Sequence, residues 1–116
     1  MTSFPVVPED VVAARELLRG TISETPMRHS RVLSERLGGP VYFKCENLQR
    51  TGSFKSRGGY VRIARLPEAD RVRGVVAASA GNHAQGVAFA AGLLGASATV
   101  VKIGRASCRE RVSPYV

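Results

Sequence analysis

Two short stretches hold the residues whose types and spacing could do chemistry. The first is TGSFKSRGGY, residues 51–60, where Lys55 stands alone among three glycines, two serines and an arginine. A lysine amine with an ordinary pKa of ~10.4 is almost wholly protonated at neutral pH and cannot add to a carbonyl. Desolvation and the partial positive charge of a helix N-terminus both disfavour the ammonium form. Lys55 falls where a first helical turn is expected, beside the apolar ring of Phe54. Gly52, Gly58 and Gly59 would let a flat ligand come close to the backbone. This pattern suits a lysine that forms an imine. An exposed lysine at an ordinary helix start has the same local sequence.

The second stretch is SAGNHAQG, residues 79–86, which follows an apolar run and opens a small-residue helix. The free N–H groups and dipole of such a junction favour an anion. Ser79 and Asn82 add neutral polar groups, and Gly81 removes a side chain that would block approach. The spacing fits neither the dinucleotide fingerprint nor the Walker phosphate loop, so a carboxylate is the natural small anion. A helix capped without any ligand is the alternative. His83 reads as a supporting or structural residue, and no Cys, His and carboxylate set has metal-ligand spacing, so no metal is expected.

These residues need elements to hold them. VPEDVVAARELLRG, residues 7–20, predicts a helix, with Pro8 in its first turn, Glu9 and Asp10 at the dipole's positive end and Gly20 as its stop. SRVLSERLGG, residues 30–39, predicts a second, capped by Ser30 and ended at Gly38-Gly39. PVYFKCEN, residues 40–47, reads as a strand with Cys45 as a core thiol. FKSRGGYVRIARL predicts a helix that Pro67 closes. GVVAAS and ASATVV are short apolar runs of the kind buried in parallel sheets, and GNHAQGVAFAAGLLG between them predicts a helix. Strand, helix and strand in under thirty residues make a βαβ unit, and the fold class is α/β.

At 116 residues the chain is at most one domain or part of a larger one. Its net charge of +8 raises nucleic-acid binding, but the arginines are scattered and carry no interleaved aromatics, so solvated helix faces are expected instead. No apolar run approaches the ~20 residues that span a bilayer, and the N-terminus lacks a secretory pattern. Two cysteines make no disulfide framework, and the cytoplasm is the expected compartment.

Taken together, KCENLQRTGSFK and SAGNHAQGVA resemble the threonine ammonia-lyases (threonine dehydratases) of the fold-type II pyridoxal-phosphate enzymes, whose architecture is tryptophan synthase β-like. The resemblance runs from about Thr25 to Val101, and both motifs are specific to the group. It implies that Lys55 binds the aldehyde of pyridoxal 5'-phosphate as an imine and later takes the substrate's Cα proton. It implies that Phe54 packs beside the cofactor ring and that Asn82 hydrogen-bonds its 3-hydroxyl. Ser79, Ala80, Gly81, Asn82 and His83 would form the loop that receives the substrate carboxylate. The implied reaction removes water from threonine and yields 2-oxobutanoate and ammonia; serine would give pyruvate. Serine racemases are similar but carry a serine where Ala80 stands, and a methyl group cannot exchange a proton.

The resemblance also implies what is missing. The group's glycine-rich phosphate loop and the residue facing the pyridine nitrogen lie downstream of any position here. The expected organisation is residues 1–66 from the large cofactor-binding domain, 67–101 as the start of the small domain, and 102–116 as a foreign tail. KIGRASCRERVSPYV is abruptly basic, without apolar periodicity, and IGRASCRERV resembles a translated sequencing adapter. The expectation is therefore an incomplete parallel sheet with flanking helices, inactive alone, from a homo-oligomeric parent that acts on a small amino acid. A truncated binding module or a basic nucleic-acid-binding fragment is the alternative.

Overall fold

The computed structural model describes residues 6–102; the tail, Lys102 apart, lies outside the described residues. Helix α1 spans Pro8–Leu18. Proline at its first position needs no N–H there, and the Asp10 carboxylate accepts the Val7 N–H at 3.0 Å. Strand β1, Met27–His29, pairs antiparallel with β2, Tyr42–Lys44, and Arg28 stands opposite Phe43. Helix α2, Arg31–Leu37, lies between them in sequence. The Ser30 hydroxyl accepts the Leu33 N–H at 3.4 Å, and Gly38, at a φ of 70°, ends the helix in a left-handed turn that other residues resist.

The strand expected over residues 40–47 is shorter. Its regular part is Tyr42–Lys44, and Glu46–Leu48 wind into a 3-10 turn. All six residues of β1 and β2 are exposed, and Cys45 is half-buried just past the strand rather than a core thiol. Two strands alone bury neither face.

The second half carries the core. Helix α3 spans Lys55–Ala64, and a short α4, Glu68–Arg73, follows Pro67. Strand β3, Val75–Ala78, leads into α5, Asn82–Leu93, and then into β4, Ala98–Val101. The two strands are parallel, with Val75 opposite Ala98 and Ala78 opposite Val101, as the helical crossover requires. Ile63 on α3 and Val87, Ala90 and Ala91 on α5 form the buried cluster, with Tyr60, Leu66, Val75, Ala77, Leu94 and Ala96 around it. At ~1.5–3 kcal/mol for a buried isoleucine or valine, this is a modest core.

The βαβ unit is present, but β3 is not buried on both faces. Val75 and Ala77 turn inward and are half-buried, whereas Val76 is 76% exposed and Ala78 is exposed as well. Among the described residues this sheet has two strands, and Val76 and Ala78 on its other face are exposed.

Candidate active site

Lys55 is the first residue of α3, and local turn chemistry explains why the helix begins there. Gly52 has a φ of +68°, a backbone state costly for a side chain, and its N–H closes on the Gln49 carbonyl at 2.7 Å. Ser53 and Ser56 are buried; the Ser53 hydroxyl accepts the Lys55 N–H, and the Ser56 hydroxyl donates to the Ser53 carbonyl, both at 3.4 Å. The two serines therefore build the turn. The Lys55 Nζ lies 5.0 Å from the centre of the Phe54 ring, within reach of a cation–π attraction, and that ring is 57% exposed.

A polar network that the sequence reading did not single out anchors this turn from below. The Arg57 guanidinium, two residues beyond Lys55, makes a fork on Glu46: Nε donates to Oε2 and Nη2 to Oε1, both at 2.7 Å. The buried Thr25 hydroxyl donates to Glu46 Oε1 as well. The bond from Arg57 is the main reason the Glu46 carboxyl drops from 4.5 to about 2, against an opposing effect of burial, and the same pair raises Arg57. Buried Gln49 clasps the Ser23 peptide, donating to its carbonyl at 2.9 Å and accepting its N–H at 2.8 Å. Segment 23–25, the 3-10 turn and α3 are thus tied by charge-assisted bonds rather than by apolar packing. The signal was present in KCENLQRTGSFKSR, where Glu46, Gln49 and Arg57 are polar residues in a stretch poor in apolar ones.

The second motif begins where β3 ends. The Ser79 N–H pairs with the Val101 carbonyl at 3.0 Å, and its hydroxyl oxygen accepts the N–H groups of Gly81 and Ala84, both at 3.2 Å. Ser79, expected above as a ligand group, therefore braces the first turn of α5, whose N-cap position is Gly81. A hydroxyl that accepts two N–H groups still carries a proton to donate. The amides of Asn82 and His83, at the first two positions of α5, have no intrahelical partner by helix geometry. Ala80, Gly81, Asn82 and His83 are all exposed, and a Cβ on Gly81 would meet nothing within 4 Å.

A cleft of about 500 Å³ runs between the start of α3 and β3, and it brings Phe54, Lys55 and His83 together with Gly58 and the apolar Val75 and Val87. Ser79, Ala80, Gly81 and Asn82 do not line it; they precede His83 at the N-terminus of α5. The glycines divide by task. Gly58 has open space around it, whereas Gly59 both lines the cleft and touches α5, where a Cβ would stand 2.8 Å from the Gly86 carbonyl oxygen. Gly59 thus serves the contact of α3 with α5 in addition to the expected approach from the cleft.

The donor set fits a pyridoxal-type cofactor: a primary amine opening on a cleft, an aromatic ring beside it, and the start of α5 reaching the same cleft through His83. Comparison with known proteins agrees. The sequence model for pyridoxal-phosphate dependent enzymes matches residues 18–114. The chain belongs to that family. It is 57% identical over 93 residues to the L-threonine ammonia-lyase of Thermotoga maritima, a match covering 80% of this chain and 23% of that protein. It is 54% identical over 92 residues to the L-threo-3-hydroxyaspartate ammonia-lyase of a Pseudomonas species, covering 79% and 29%. Among solved structures, maize serine racemase superposes with a TM-score of 0.78 at 33% identity, over 85% of this chain and 31% of that one. The chain thus spans about a quarter of the length of the curated relatives it matches.

Proposed function

We propose that this chain is the lysine-bearing segment of a threonine (or serine) ammonia-lyase dependent on pyridoxal 5'-phosphate. The observation that carries the reading is the meeting of the two motifs at one cleft, Lys55 and Phe54 on one side and the start of α5 on the other. The net change converts threonine to 2-oxobutanoate and ammonia, with the water lost at Cβ regained on hydrolysis. When bound, the cofactor supplies the electron sink that makes a Cα proton removable. Lys55 would hold the cofactor covalently, and its freed amine would take that proton. The Asn82 and His83 amides and the Ser79 hydroxyl would receive the carboxylate, as a helix N-terminus favours an anion. Phe54 would flank the ring, and the Asn82 side chain would orient it.

The serine racemase reading has one observation in its favour, the structural likeness. Ala80 opposes it, since its methyl group cannot deliver a proton to the opposite face of a carbanion. The hydroxyaspartate relative marks a second substrate, a β-hydroxy amino acid with a further carboxylate. We also assign a cytoplasmic, homo-oligomeric parent, with residues 1–66 and 67–101 from its larger and smaller domains and 102–116 foreign to it. No helix among the described residues is long and apolar enough to cross a membrane.

The test is a chimaera in which residues 18–101 replace the matching segment of the Thermotoga maritima enzyme. It should form 2-oxobutanoate and ammonia from L-threonine, while the 116-residue chain with added cofactor should form none above a free-cofactor control. A loaded, folded chimaera inert toward threonine, serine and hydroxyaspartate would overturn the reading.

A further inference from the structure

The two motifs are joined by a backbone contact that neither reveals alone. A Cβ placed on Gly86, the last residue of SAGNHAQG, would stand 2.7 Å from the Lys55 carbonyl oxygen, 2.8 Å from its carbon and 3.1 Å from the Ser56 nitrogen. From the other side, a Cβ on Gly59 would stand 2.8 Å from the Gly86 carbonyl oxygen and 3.0 Å from its carbon. Gly59 lies one turn beyond Lys55, and Gly86 one turn beyond Asn82. The α5 backbone therefore sits in the notch between two turns of α3, with the Lys55 peptide as one wall. Every atom met is main chain, so no side chain can swing aside. Close packing of this kind transmits displacement instead of absorbing it.

We propose that Gly86 is a positioning residue for Lys55, fixing where the lysine's peptide stands relative to the N-terminal loop of α5. The proposal rests on the assignment of Lys55 given above. A methyl group at residue 86 must move from 2.7 Å to at least the 3.4 Å of ordinary contact, so α5 and the Lys55 peptide part by roughly 0.7 Å. Misplacement on the order of 1 Å can cost ~100-fold in rate without touching a reacting atom. An alanine in a helix interior is otherwise favoured over glycine, so any loss comes from the contact.

The test uses three variants of the chimaera loaded with pyridoxal phosphate: Gly86→Ala, Gly92→Ala and Lys55→Ala. Gly92 lies on the same helix with nothing within 4 Å of an added Cβ. Gly86→Ala should lower kcat per loaded molecule by ~10–100-fold and move the pH midpoint of the bound cofactor's visible absorption. Gly92→Ala should do neither. Lys55→Ala should leave the cofactor removable by gel filtration after borohydride; if it is still fixed to the protein, the lysine assignment falls and this inference with it. If Lys55→Ala loses that attachment but Gly86→Ala matches the parent in both readouts, the positioning role alone is wrong. Should Gly86→Ala not fold, a crystal structure of the unaltered chimaera decides. Van der Waals contact between the Gly86 α-carbon and the Lys55 peptide supports the notch, and its absence overturns it.

Discussion

Arg57→Ala removes the fork on Glu46 and isolates its electrostatic worth. A carboxyl lowered from 4.5 to about 2 corresponds to ~3 kcal/mol of favourable interaction. Thr25 and Gln49 also lower Glu46, and the Arg57 and Glu46 side chains are 32% and 16% exposed, so the share lost with Arg57 falls to ~1–2 kcal/mol near neutral pH. The sign with pH follows from a carboxyl that is lowered in the folded state. Its contribution is complete above a pH of about 4.5 and is lost as pH falls toward about 2. The stability gap between the parent and Arg57→Ala should therefore close over that window. Urea unfolding of dilute chain, followed by far-ultraviolet circular dichroism, measures it. Arg57→Lys keeps a charge but not the two-pronged geometry and should fall between them. A gap that stays constant down to a pH of about 2 would refute the electrostatic account and leave only lost packing.

Ser79→Ala removes the acceptor for the Gly81 and Ala84 amides and should cost ~1 kcal/mol in the same unfolding assay. In the chimaera it should also raise KM for threonine, since the hydroxyl proton lost is one assigned to the carboxylate. Ala80→Ser should raise serine racemisation relative to elimination in the chimaera, read as solvent deuterium in recovered D-serine. Incorporation no faster than in the parent chimaera would dismiss the opposite-face argument. At micromolar concentration the chain should self-associate, because Val76 at 76% exposure and its apolar neighbours on the open sheet face water. Sedimentation as a single monomeric species would contradict this.

The elements legible in the sequence are those with a repeated pattern or a chemical stop signal. Helix α1 follows from Pro8 and its acidic first turn, α2 from Ser30 and Gly38, and the βαβ unit from two apolar runs around a helix. Strand β1 and helix α4 were not anticipated, since three and six residues are too few to establish a period. The burial of β3 was overstated, because an apolar run shows that a strand can be covered on both faces, not that it is. At the site, Lys55, Phe54 and His83 meet in the cleft, whereas the loop from Ser79 to Asn82 does not line it. A glycine's permissiveness is visible in sequence, but its beneficiary is not. Gly59 and Gly86 serve one another from different helices far apart in sequence, a long-range contact with no local signature. Glu46 and Arg57 were missed for the same reason: they stand in different elements, and only the turn between them brings the charges together.

The central claim is that Lys55 is the residue to which the cofactor attaches. Borohydride reduction of the loaded chimaera, followed by peptide mapping, reads it directly. The account predicts that the reduced pyridoxyl group lies on the peptide containing Phe54-Lys55-Ser56. A label on Lys44 or on any lysine outside the grafted segment, with Lys55 unmodified, would contradict it.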